Sequence, residues 1–129
     1  MTDMAENIMI IVALISCPVI MIIIGILLLT IQSERGGMIG YRTSKSQKSD
    51  ATWVAANAYY GKISIVTNII SLIVTILISV FIILKSQDEN LLTTAILFIT
   101  SVQIILLFAD IIATELMLSQ KFDKDGNPK

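Results

Sequence analysis

Charge divides this chain into apolar runs and polar connectors. Residues 7–33, 63–84 and 90–109 contain no Asp, Glu, Lys or Arg. Each run reaches the ~20 apolar residues that carry an α-helix across the ~30 Å hydrocarbon core of a bilayer. The pattern predicts an all-α membrane protein of a single integral domain. Its three transmembrane helices fall at about residues 8–31, 63–84 and 91–117, with a loop at 32–62 and a tail at 118–129. None of the polar pieces is long enough to build a core of its own.

Polar residues inside and beside the runs also follow helical spacing. Asn57, Gly61, Ser64, Asn68, Ser71, Thr75 and Ser79 recur at steps of three and four, which is one helix face. Thr93, Thr100, Gln103, Asp110 and Thr114 share a face of the same period. Small and polar side chains let apolar helices approach and hydrogen-bond, at roughly 0.6–2 kcal/mol each. The second and third spans are therefore expected to pack through these faces; a water-filled path along them is the alternative. Pro18 lies within the first run and should bend or loosen it, because proline lacks an N–H.

The first run does not resemble a secretory signal. Its leader is acidic with no Lys or Arg, and the run exceeds the roughly 7–15 residues of a signal core. It is read as a retained span.

The first loop carries turn and helix-start signals. Gly36, Gly37 and Gly40 mark a turn, Ser49 is placed to cap a helix, and Asp50 suits the first-turn dipole. A short amphipathic cytoplasmic helix is expected before the second span or running on into it, with Gly61 as a bend. Trp53, Tyr59 and Tyr60 would then sit at headgroup level.

Composition removes function classes rather than adding them. Hydrophobic residues make up 55% and charged residues 15%, and the mean hydropathy is +0.84. The chain has no His, which excludes His-based acid–base chemistry and most transition-metal sites. Its one cysteine, Cys17, lies in an apolar run and can form neither an internal disulfide nor a thiolate cluster. A net charge of −1 offers no basic surface for nucleic acid. Phosphate-loop, dinucleotide and zinc-protease motifs are missing. Asp123 to Asn127 lacks the spacing of a calcium loop and reads as a solvated turn. The expectation is a protein that is not an enzyme and needs no cofactor or metal.

Basic residues give an orientation. Arg35, Arg42, Lys45, Lys48 and Lys62 lie in the first loop, and Lys121, Lys124 and Lys129 in the tail. Three spans place loop and tail on one side, and only Lys85 falls on the other. The positive-inside rule then puts the N-terminus outside and the C-terminus in the cytoplasm. The outer surface is reduced to residues 1–7 and 85–90.

The run Gly40, Tyr41, Arg42 and Thr43, followed by Ser49, Trp53 and Asn57 in the first loop of a three-span chain, resembles the SdpI family. The string from Thr114 and Glu115 to Asn127 looks like the tail after the last span in such proteins. Members are small bacterial plasma-membrane proteins named for immunity to a secreted sporulation-delaying toxin peptide. The resemblance implies a resistance protein against a membrane-active peptide.

Depth brings the candidate residues together. At about 1.5 Å per residue, Asp110 lies roughly 28 Å from Leu91, near the cytoplasmic boundary. Glu115 lies further inward. A polar cluster of Tyr41, Arg42, Thr43, Ser49, Trp53, Asn57, Asn68, Asp110 and Glu115 is expected there. Arg42 would pair with Glu115 or Asp110, and the alternative is that both acids mark the wet end of a long helix. Expected partners are the lipid bilayer, a toxin peptide within it and a cytosolic regulatory protein; a homo-oligomer is compatible. Two other classes stay open: a small ion- or proton-coupled transporter, and a structural subunit of a membrane complex.

Overall fold

Within lipid every backbone N–H and C=O must be satisfied inside the protein, so apolar runs of this length become helices. The computed structural model describes residues 4–31, 33–85 and 88–129. Its helices are α1 (Met4–Thr30), α2 (Asp50–Lys85) and α3 (Glu89–Lys121). All three are long and apolar enough to cross a membrane. Met1, Thr2, Asp3, Gln32, Ser86 and Gln87 lie outside the described residues, and with them part of the two segments assigned above to the outer surface.

Local chemistry sets the helix ends. Ser49 Oγ accepts the Thr52 N–H at 3.1 Å, and Thr52 Oγ1 accepts the Ser49 N–H at 2.9 Å. This reciprocal cap starts α2. The Asp88 carboxylate accepts the Asn90 N–H at 2.9 Å and starts α3. The Phe122 N–H closes α3 on the Leu118 carbonyl at 3.0 Å.

Of the two arrangements expected for the segment before the second span, the structure shows the continuous one: residues 50–62 are the opening turns of α2 itself, not a separate amphipathic helix. The 36 residues of α2 make it about 54 Å long, well beyond the ~30 Å hydrocarbon. At Gly61 the helix continues without interruption and crosses α1 at close range. A Cβ on Gly25 would meet the Gly61 carbonyl oxygen at 2.8 Å, and one on Gly61 would meet that of Gly25 at 3.0 Å. Only glycine at both positions permits this approach.

α2 is the central helix, antiparallel to its neighbours, while α1 and α3 touch sparsely. Its stripe is buried as the periodicity predicts, with Ser64, Asn68, Ser71, Thr75 and Ser79 inside. The stripe does not serve α3 alone. The Ser64 hydroxyl donates to the Met21 carbonyl of α1 at 3.4 Å, next to the glycine crossing. The α3 face is divided as well. Asp110 and Thr114 are buried, but Thr93 and Thr100 are exposed.

Gln103 reaches α1 instead of α2, and the reason lies in Pro18. Proline at 18 has no N–H for the carbonyl four residues earlier, which is Leu14. Gln103 Nε2 donates to that carbonyl at 2.9 Å. Helix α1 runs unbroken through Pro18 with this bond in place. Replacing Gln103 with leucine should cost about 1–2 kcal/mol. The cost should largely vanish in a Pro18→Ala background, where residue 18 supplies its own donor. Unfolding in mixed micelles titrated with SDS measures both; equal costs in the two backgrounds would uncouple Gln103 from the proline.

Candidate functional site

A buried core forms at the end where the first loop meets the helices. Tyr41, Ala56, Tyr60, Met117 and Leu118 form one buried cluster there. The loop folds on its own hydroxyls before it meets the bundle. Ser46 is fully buried; its hydroxyl lies 2.9 Å from the carbonyls of Tyr41 and Thr43 and accepts the Thr43 N–H at 2.9 Å. Thr43 Oγ1 accepts the Ser46 N–H at 3.2 Å. Thr52 Oγ1 lies 3.0 Å from the Ser46 carbonyl and ties this knot to the start of α2.

Asn57 then fixes the loop to α2. Its Oδ1 accepts the Tyr41 N–H at 2.7 Å, and its Nδ2 donates to the Trp53 carbonyl at 2.8 Å. The Trp53 indole N–H donates to the Ser33 carbonyl at 3.0 Å. Gly40 lies against that indole at φ +150, and a Cβ there would be 2.6 Å from the ring. Trp53 is therefore a buried filler of the loop, not the headgroup anchor expected of it. Tyr60 is buried too, with its ring centroid 4.8 Å from that of Tyr41.

The link to α3 runs through Tyr41. Its hydroxyl donates to Glu115 Oε1 at 2.7 Å and lies 3.4 Å from the Ile111 carbonyl. Burial, reinforced by the Glu115 carboxylate, pushes the phenol far above its ordinary range, so Tyr41 remains a donor at any physiological pH. The pairing expected of Arg42 is not formed: Tyr41 occupies Glu115, Thr67 occupies Asp110, and Arg42 is exposed. Asn57 holds the backbone at Tyr41 so that the tyrosine enters the bundle while its neighbour stays outside.

Asp110 and Asn68 stand apart from this cluster. Asp110 is 1% exposed, so it does not mark a wet helix end. Its Oδ2 lies 2.7 Å from Thr67 Oγ1, and its carbonyl accepts from the Thr114 hydroxyl at 2.8 Å. Asn68 donates to the Ser64 carbonyl at 2.8 Å within α2. Among the expected residues, Tyr41, Thr43, Ser49, Trp53, Asn57 and Glu115 come together; Arg42, Asn68 and Asp110 do not join them. The sequence reading passed over Ser46, Thr52, Tyr60 as a partner of Tyr41, and Thr67. A signal existed for one pair only, since Ser49 and Thr52 have the spacing of a reciprocal cap.

The tail forms the solvated turn expected of it, with residues 123–125 and 127 exposed, and the turn is held by hydrogen bonds of its own. Asp123 Oδ1 accepts the N–H groups of Asp125 and Asn127, both at 2.9 Å. The Ser49 hydroxyl donates to the Gly126 carbonyl at 2.6 Å and docks the turn on the loop. Among the described residues, no group of His, Cys, Asp and Glu is arranged to hold a metal ion.

These features define a three-helix membrane protein whose first loop is locked onto one end of the bundle. The SdpI/YfhL protein family matches residues 32–114, more than half of the sequence, and the chain belongs to that family. The match includes the loop, α2 and α3 as far as Thr114; α1 and the tail from Glu115 onward lie outside it. No curated protein and no solved structure matches the chain.

Proposed function

We propose that the protein is an immunity protein of the bacterial plasma membrane, protecting the cell that carries it against a secreted, membrane-active toxin peptide. Membership of the SdpI/YfhL family is the observation that carries this reading. The matched segment includes the residues that lock the first loop, from Tyr41 and Trp53 to Asn57. In the proposed topology the N-terminus is outside and the loop and tail are cytoplasmic. Protection then acts inside the bilayer on the inserted peptide, or through a cytosolic regulatory protein that reads the loop.

A groove of about 350 Å³ between α1, the loop and α3 gives an inserted peptide a place to lie. Ile24, Leu27, Tyr60 and Ile111 give it an apolar lining, and the exposed Arg42 is its charged residue. In this role Arg42 is the accessible charge of the site, while Tyr41, Asn57 and Glu115 position the segment that presents it.

Expression in a sensitive strain should raise the lethal concentration of the cognate peptide severalfold. Arg42→Ala should reduce that protection while leaving the protein at wild-type abundance in the membrane. Unchanged sensitivity across a panel of secreted peptides, with the wild-type chain present, contradicts the reading. The buried Asp110 favours one competitor, an ion- or proton-coupled transporter. That reading requires substrate-driven flux in proteoliposomes that Asp110→Asn abolishes.

A further inference from the structure

At the end of α3, the second half of the first loop and the folded tail enclose a cleft of about 650 Å³. Lys45, Lys48, Lys124 and Lys129 line it together with Leu118 and Phe122. This is a different place from the Tyr41–Glu115 link and from the groove beside Arg42. Its shape is fixed by the fold: the Ser49–Gly126 bond docks the tail, and the Lys129 N–H donates to the Lys121 carbonyl at 2.9 Å.

The charge in this cleft is unbalanced. Lys45 donates to the Ser119 hydroxyl, and Lys129 Nζ to the Ser119 carbonyl at 3.2 Å. Among the described residues, none of the four ammonium groups is paired with a carboxylate. Asp123 is the one acidic side chain in the lining, and its Oδ1 already accepts two backbone N–H groups. Several like charges around one concavity focus a positive field and favour an anion. Ammonium donors on flexible stems suit the oxygens of a phosphate, which they meet as point charges.

Position indicates where that phosphate comes from. Ser119 lies about 42 Å along α3 from Leu91, beyond a hydrocarbon layer of ~30 Å. With Leu91 at the far edge of the hydrocarbon, the cleft stands about 12 Å outside it, at the outer edge of the headgroup layer, where long lysine stems reach back to lipid phosphates. Leu118 and Phe122 supply apolar lining beside the lysines. We propose that this cleft binds a phosphate-bearing anion, the headgroup of an anionic phospholipid being the source that its depth favours. Basic pockets at the ends of spans recognise such headgroups by this combination of charge and depth.

Native mass spectrometry of the full chain in neutral detergent tests the proposal. The probes are dioleoyl phosphatidylglycerol, dioleoyl phosphatidylcholine and inorganic phosphate. Phosphatidylglycerol should bind about tenfold more tightly than phosphatidylcholine. The double variant Lys48→Gln/Lys124→Gln, which removes two lysines whose side chains make no hydrogen bond or ion pair among the described residues, should erase about tenfold of that affinity. The control Arg42→Gln/Lys62→Gln removes the same charge outside the cleft and should change it by about twofold or less. Displacement of the lipid by millimolar inorganic phosphate would assign the cleft to free phosphate, and retention of the lipid adduct to the headgroup; both support an anion site. Equal binding of the two lipids with no phosphate adduct, or equal losses in the two double variants, would overturn it.

Discussion

Replacing Gly40 with valine will release the first loop from α2 while leaving the three spans helical. Two costs coincide at this residue. Its φ of +150 is a conformation that side-chain-bearing residues rarely adopt, and its Cβ would stand 2.6 Å from the Trp53 ring and 3.0 Å from Asn57 Oδ1. Backbone strain and overpacking each cost about 1–3 kcal/mol, so the sum is about 3 kcal/mol or more. The ring cannot retreat without breaking its bond to the Ser33 carbonyl. Trp53 is the only tryptophan in the chain, which makes its fluorescence a direct reporter. Emission should shift to the red and become accessible to aqueous quenchers, with the helical circular dichroism unchanged. Met38→Val, at a residue 95% exposed in the same loop, should alter neither. A Gly40→Val protein whose Trp53 stays blue-shifted and shielded would show that the loop does not depend on this contact.

The second large effect is expected at Asn57. Its side chain accepts the Tyr41 N–H and also donates to the Trp53 carbonyl. Leucine fills a similar volume but leaves a buried donor without an acceptor, at about 1–3 kcal/mol. Asn57→Asp keeps an oxygen for Tyr41 and gives up only the bond to the Trp53 carbonyl. It should therefore be less damaging than leucine, provided the added charge is held by Tyr41. Ranking the two by SDS midpoint and by protease cutting within residues 33–49 separates these cases. The same ranking should appear in protection against the toxin peptide, because the loop presents Arg42. Equal behaviour of Asn57→Leu and wild type in both measurements would remove Asn57 from the site.

Much of this architecture was written in the charge pattern. Three uncharged runs became three helices, and the small and polar stripe of α2 became its buried face. What the pattern could not give was the partner of each buried group. Gln103 looked like a polar residue facing α2, but Pro18 had freed a carbonyl 89 residues earlier in the chain. Arg42 looked like the natural mate of Glu115 because charge suggests charge. A neutral phenol one residue away took the place, since the Asn57 bond turns that residue inward. Trp53 and Tyr60 carry the composition of interfacial anchors, and amphipathic rings do favour headgroups. The nearby glycine leaves room for the indole inside the protein instead. The opening turns of α2 were separated from the span by polarity alone, and polarity does not interrupt a helix that has no proline.

Loop and tail fold together on one end of the three-helix bundle, and the proposed topology makes that end cytoplasmic. Cysteine accessibility in intact cells measures this most directly. In a Cys17→Ala background, single cysteines at Ser44, Asp125 and Asn90 place exposed thiols in the loop, in the tail and at the start of α3. A membrane-impermeant maleimide should label the Asn90→Cys protein in intact cells, and the Ser44→Cys and Asp125→Cys proteins only after permeabilisation. Labelling of the loop or the tail from outside would contradict the account.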